Sequence, residues 1–172
     1  MFCDETGEAL NEAARRLVLD ALAADKRNVE ENGGVAPALG PILSSIPVVE
    51  CAEGTYKYVQ VQLTHPNEPG ALLVVRSYNT CKYHAENYRK LMRILGKDAT
   101  TSGVVGRVIG GGRIKFNSGG GGGGRGASGG FAEVYGYSKT FGRTPGCNEK
   151  TAEIIRTQCP GLSRVNWSDD GY

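Results

Sequence analysis

The segment Lys82-Tyr83-His84-Ala85-Glu86-Asn87-Tyr88 sets one of the chain's two histidines where an imidazole can work. Tyr88, Leu91, Met92 and Leu95 follow at i, i+3, i+4 and i+7, the spacing of a helix with one buried face. Thr80 is the expected N-cap and Gly96 the expected stop. His84 then falls in or near the first turn. Unpaired backbone N–H groups and the positive end of the helix dipole favour an anion there. An imidazole that titrates near neutrality beside such a site suits acid–base work on a phosphate or carboxylate. A surface histidine without a role is the plainer alternative.

The elements that must hold this residue can be traced along the chain. Tyr56-Lys57-Tyr58-Val59-Gln60-Val61-Gln62-Leu63 alternates as a half-buried strand does. Lys57 shares a face with Val59, Val61 and Leu63, a position that calls for an anion or an opening to water. A second strand covers 72–77, after a Pro- and Gly-bounded loop at 64–70 that holds His65 as an exposed residue. Short strands are expected at 104–109, 113–116, 131–137 and 164–167. A second helix is expected from about Asn148, its cap, to Gln158, with Pro160-Gly161 ending it. Six strands and two helices make an α/β domain.

Ahead of this domain, residues 4–27 carry Leu10, Ala13, Ala14, Leu17, Val18, Ala21 and Leu22 on one helical stripe, and a Gly/Pro-rich connector follows at 32–41. The division expected is an N-terminal helical extension, 1–53, and a compact domain, 54–172. Residues 119–130 are glycine-rich and join two strands, so they form an elongated hairpin loop. They lack the Gly-Lys-Ser/Thr ending of a P-loop, and one arginine is too little charge to hold nucleic acid.

Composition narrows the class. At 172 residues, 40% hydrophobic and 22% charged, the chain has room for one ordinary core. No apolar run is long enough to span a membrane, and the start lacks the basic and apolar regions of a signal peptide. Five widely spaced cysteines without CxxC spacing fit a reduced, cytoplasmic protein, and two histidines argue against a His-based zinc site. The net charge of +2 conceals an asymmetry. Residues 1–53 hold four Lys/Arg against ten Asp/Glu, while 54–172 hold sixteen against eight, so an anion site belongs in the second part. Cys81 is no phosphatase nucleophile of the Cys-x5-Arg kind, because Asn87 stands where the arginine would be.

Six motifs occur in order: Tyr56-Lys57-Tyr58-Val59; Arg76 eight positions before His84; Tyr83-His84-Ala85-x-x-Tyr88; Gly110-Gly111-Gly112-Arg113-Ile114; Val134-Tyr135-Gly136-Tyr137-Ser138; and Trp167-x-x-Asp170-Gly171-Tyr172. Together they closely resemble the protein histidine phosphatase, or janus, family over roughly residues 54–172. The resemblance implies a mixed β-sheet of about six strands with a helix on each face. It implies hydrolysis of phosphohistidine on proteins, with no metal and no organic cofactor. By the same resemblance His84 is the proton acceptor and Lys57 contacts the substrate. Ser138, Lys139 and Thr140 form a phosphate-contacting loop, the backbone N–H groups of His84 and Ala85 complete the cradle, and Arg76 and Arg113 support it.

Three departures from the short members of the family stand out. They are the N-terminal extension, the 119–130 insertion, and Lys139 and Thr140 in place of smaller or less polar residues. His84 acts in this reading either as general base toward water or as nucleophile through a transient phospho-His84. A phosphate- or phosphoprotein-binding module without turnover is the alternative from another class. A third alternative is an interaction protein acting through the acidic helix and glycine loop. The partners expected are phosphohistidine-containing proteins, with no nucleic acid and no membrane, and the simplest assembly is a monomer.

Overall fold

The computed structural model describes residues 38–119 and 129–170. The expected helix at 4–27, most of the connector, most of the glycine-rich loop and the terminal Gly171-Tyr172 lie outside the described residues. Strands β1 (Val49–Cys51), β2 (Gly54–Thr64), β3 (Leu72–Ser77), β4 (Val105–Asn117), β5 (Gly130–Tyr135) and β6 (Leu162–Trp167) form one mixed sheet. Its order is β1-β3-β2-β4-β5-β6. The inner pairs are antiparallel, and the two edge pairs, β1 with β3 and β5 with β6, are parallel. Helix α1 (Pro41–Ser44) precedes the sheet, α2 (His84–Lys97) follows β3, and α3 (Cys147–Gln158) makes the crossover that parallel β5 and β6 require.

Two helices on opposite faces follow from the alternation in β2. Val59, Val61 and Leu63 point to one side, where Tyr88, Leu91 and Leu95 of α2 cover them together with Val74 and Val108. Tyr58 points to the other side, into a second cluster with Ile114, Val134, and Ala152 and Ile155 of α3. The α/β class and the mixed sheet are therefore as expected, though the strand count is reached differently. The strands expected at 104–109 and 113–116 are one continuous strand, β4. Gly110-Gly111-Gly112 does not break it, because these glycines serve close packing: a Cβ on Gly111 would lie 2.5 Å from the Tyr58 carbonyl oxygen, and one on Gly112 2.5 Å from that of Tyr135. The sixth strand is instead β1, unforeseen because three residues carry too little pattern to register.

The boundary at residue 54 falls inside the packed unit. Leu43 and Ile46 are 0% and 4% exposed and belong to the α2-side core, and the Glu68 carboxylate accepts from the N–H groups of Ile42 and Leu43 at 2.7 and 2.9 Å. The helix ends also differ from expectation. Tyr83, not Thr80, is the N-cap of α2, and the Glu86 carboxylate accepts from the N–H groups of Lys82 and Tyr83. The helix runs one residue past Gly96, to Lys97. Gly146, with φ of 75°, caps α3, because the Asn148 side chain is occupied in the core. No helix among the described residues is long and apolar enough to cross a membrane.

Candidate functional site

His84 is the first residue of α2, its backbone N–H among those that have no intrahelical acceptor. Its side chain is 5% exposed. The Nε2 atom lies 3.0 Å from the Gly112 carbonyl oxygen, and the ring meets Phe141 edge-on at 6.3 Å. A carbonyl oxygen only accepts, so Nε2 carries the hydrogen and donates it, which leaves the lone pair on Nδ1. The imidazole pKa is lowered to about 4, chiefly by burial; the bond to Gly112 opposes the shift, and the positive charges of Lys57 and Arg113 contribute to it. At neutral pH the ring is uncharged and Nδ1 is the atom able to take a proton.

Lys57 and Arg113 reach His84 through a defect in the sheet. β2 and β4 pair Val61 with Val108 and Gln60 with Gly110, so Ile109 is the extra residue of a bulge in β4. Regular alternation from Gly106 and Val108 would carry Gly110 and Gly112 to the α2 side. The extra residue moves Gly111 and Arg113 there instead. Gly111 then lies under the His84 ring, with its absent Cβ 3.0 Å from the His84 Cδ2, and Arg113 pairs with Lys57. Two cations directly opposite on one sheet face repel, an arrangement that an anion between them would relieve. Lys57 Nζ also lies 5.0 Å from the centre of the Tyr83 ring, which is 62% exposed.

Asn87 ties these parts together. It is 0% exposed, accepts from the Tyr78 N–H at 2.8 Å, and donates to the Lys57 carbonyl at 3.2 Å. Ser77 Oγ donates to the same carbonyl at 3.1 Å. The strand carrying Lys57 and the start of α2 are thereby held in one register.

The loop after β5 closes the other side. Gly136, with φ of 70°, ends the strand two residues earlier than the expected 131–137. Ser138 is 0% exposed, and its Oγ accepts from the Phe141 N–H at 3.2 Å. Phe141 packs on the α2-side core beside His84, so the hydroxyl of Ser138 fixes the loop that presents that ring. Lys139 and Thr140 are exposed at the loop tip, and Ala85 is half-buried in the first turn of α2.

Of the residues singled out from the sequence, His84, Ala85, Lys57 and Arg113 come together, with the 138–141 loop joined to them through Phe141. Arg76 does not share their task. Its guanidinium is 1% exposed, donates to the carbonyls of Pro47 and Val48, and lies 2.8 Å from the Glu50 carboxylate, so it clamps β1 and the segment before it. His65 is half-buried rather than exposed: Nδ1 accepts from the Asn67 N–H and Nε2 lies 3.2 Å from the Ser102 carbonyl. Phe141 and Asn87 were not singled out. A polar residue three positions after His84, on the face of a helix otherwise apolar, was the available signal for Asn87. Among the described residues no group of three or more His, Cys, Asp or Glu is placed to hold a metal ion.

Comparison with known proteins places the chain in a family. The model of the Janus/Ocnus family (Ocnus) matches residues 43–163, which include the core residues Leu43 and Ile46 as well as β1. The sex-regulated protein janus-A of Drosophila yakuba is 28% identical over 131 residues, covering 76% of this chain and 84% of the relative. That of Drosophila melanogaster gives the same identity and coverage, and that of Drosophila pseudoobscura pseudoobscura is 28% identical over 136 residues.

Proposed function

The chain belongs to the Janus/Ocnus family, and we propose that it is a protein phosphohistidine phosphatase, with His84 at its centre. The observation that carries this reading is a buried, uncharged imidazole with Nδ1 unspent, at a helix start, beside Lys57 and Arg113, which lie opposite one another in the strand register. A tetrahedral dianion suits that place. Lys57 and Arg113 bind its oxygens, and the N–H groups of His84 and Ala85 add donors.

The substrate is a phosphoramidate, in which phosphorus is bonded to a ring nitrogen of histidine. Water attacks phosphorus while Nδ1 of His84 takes its proton; the P–N electron pair passes to the departing imidazole nitrogen. That nitrogen is protonated from the His84 imidazolium, which returns the enzyme to its starting state. A base with a pKa of about 4 is weak, and the bound phosphoryl group corrects this. Its negative charge offsets Lys57 and Arg113 and raises the basicity of His84 once the substrate is seated. The variant in which Nδ1 itself attacks gives a transient phospho-His84, which rapid quench after turnover of a 32P-labelled substrate would trap.

A second reading is a phosphate-binding module without turnover, favoured by the same low basicity in the unliganded state. Phosphate release from a phosphohistidine peptide, measured with EDTA present on wild type and His84→Ala, separates the two. Release by wild type and none by the variant is expected. Binding of inorganic phosphate without release by either would leave the binding module.

A further inference from the structure

The sheet face that carries Lys57 and Arg113 continues beyond the His84 pocket. Arg113 lies opposite Tyr135, Lys115 opposite Glu133, and Asn117 opposite Phe131, which in turn lies beside Arg164 of β6. α2 packs on β2, β3 and β4, while α3 packs on the reverse of β5 and β6. On this open half Lys115, Asn117, Arg164 and Asn166 are exposed, and Phe131, Glu133 and Tyr135 are half-buried.

The side chains there are ordered around one aromatic ring. Lys115 Nζ lies 5.4 Å from the centre of Phe131, and the Arg164 guanidinium carbon lies 5.6 Å from it. Arg164 also pairs with Glu133 at 3.1 Å. Lys57, Arg113, Lys115 and Arg164 lie on this face, and among the described residues the Glu133 carboxylate is paired with Arg164. Glu53, at its far rim, is occupied by the Ser118 N–H at 2.8 Å. A positive, partly apolar strip thus runs from the phosphoryl pocket to the edge strand.

We infer that this strip docks the polypeptide flanking the reacting histidine and favours acidic residues in it; the inference rests on the phosphatase reading. Lys115 lies two residues along β4 from Arg113, about 7 Å, and Arg164 lies four along and two strands across, about 16 Å. An extended peptide advances about 3.3 Å per residue. Carboxylates two to five positions from the phosphohistidine therefore meet Lys115 and Arg164, while an apolar side chain between them rests on Phe131. Continuity with the phosphoryl pocket and charge complementarity both point to this occupant.

The test compares two phosphohistidine peptides on the full chain, one with Asp and one with Lys at the second to fifth positions. Free phosphohistidine serves as a substrate too small to reach the strip. At low ionic strength kcat/KM is expected to favour the acidic peptide about tenfold, and high salt should erase the preference. The double variant Lys115→Glu with Arg164→Gln should lose the preference and still hydrolyse free phosphohistidine as wild type does. Equal rates on the two peptides, or an unchanged preference in the double variant, would overturn docking on this face. Tighter binding of a single-stranded oligonucleotide than of the acidic peptide would also overturn it. If free phosphohistidine is not hydrolysed at all, the catalytic reading fails. Fluorescence anisotropy of a labelled, unphosphorylated acidic peptide on wild type and double variant then decides docking separately.

Discussion

Lys57 and Tyr58 are neighbours on β2 and point to opposite faces of the same sheet, into surroundings built on opposite terms. On the Tyr58 side every polar group named here has a partner. The phenol donates to Asn148, whose amide donates to the carbonyls of Gly136 and Ser168 at 2.9 Å each, Gln60 donates to Thr151, and the Cys147 thiol donates to Gln60. Burial pushes that thiol up to about 11, which keeps it protonated and inert at neutral pH. On the Lys57 side a cation faces a cation, and a buried imidazole uses only one of its nitrogens. The first network is closed and serves the fold. The second leaves Nδ1 of His84 unspent, and it is this difference on which the proposed function rests.

Substitutions on the two faces should fail in different ways. The largest effect expected is from His84→Ala, a loss of two to four powers of ten in turnover of a phosphohistidine peptide, while His65→Ala stays near wild type. Comparable losses from both would end the assignment to His84. Asn148→Ala comes next, destabilising the fold by about 2–3 kcal/mol because it strands the Tyr58 hydroxyl and two carbonyls. Urea unfolding measures it; a normal unfolding midpoint with lost turnover would blur the division between the faces.

Lys57→Ala should raise KM by about tenfold with a smaller change in kcat, the mark of a group that binds the phosphoryl oxygens. An unchanged KM and kcat would remove it from the site. The smallest effects concern protons. The acid limb of kcat/KM for the free protein should fall near pH 4 rather than near 6.5, and saturating phosphate should move the His84 titration upward in histidine NMR spectra. The sign for stability follows from the depressed folded value. His84's contribution is full above the unfolded pKa of 6.5 and is lost as pH falls toward about 4, because the unfolded chain takes the proton first. His84→Gln should flatten the thermal midpoint across that window.

Much of the frame was legible in the chain. The i, i+3, i+4, i+7 series after His84 and the alternation of residues 56–63 are local periodicities, and each dictates which residues face the core. The helix and strand that carry His84 and Lys57 could be placed from them directly. The caps could not, because Asn148 has the right type for an N-cap and is drawn into the core by Tyr58, a partner 90 residues away in sequence. The setting of Arg76 was hidden for a similar reason: its charge was visible, while the carbonyls of Pro47 and Val48 that absorb it were not.

By itself the sequence determined the periodic elements, the α/β class and the few residue types able to act on a phosphoryl group. Only the tertiary structure decided that Ile109 is an extra residue in β4, which turns Arg113 toward Lys57 and sets Gly111 beneath His84. It alone decided that the Gly112 carbonyl accepts from Nε2–H, which leaves the lone pair on Nδ1. The physical reason is the range of the forces concerned. Helix and strand patterns are written over a few neighbouring residues, whereas register, burial and the field at a titrating group are sums over strands far apart in the chain.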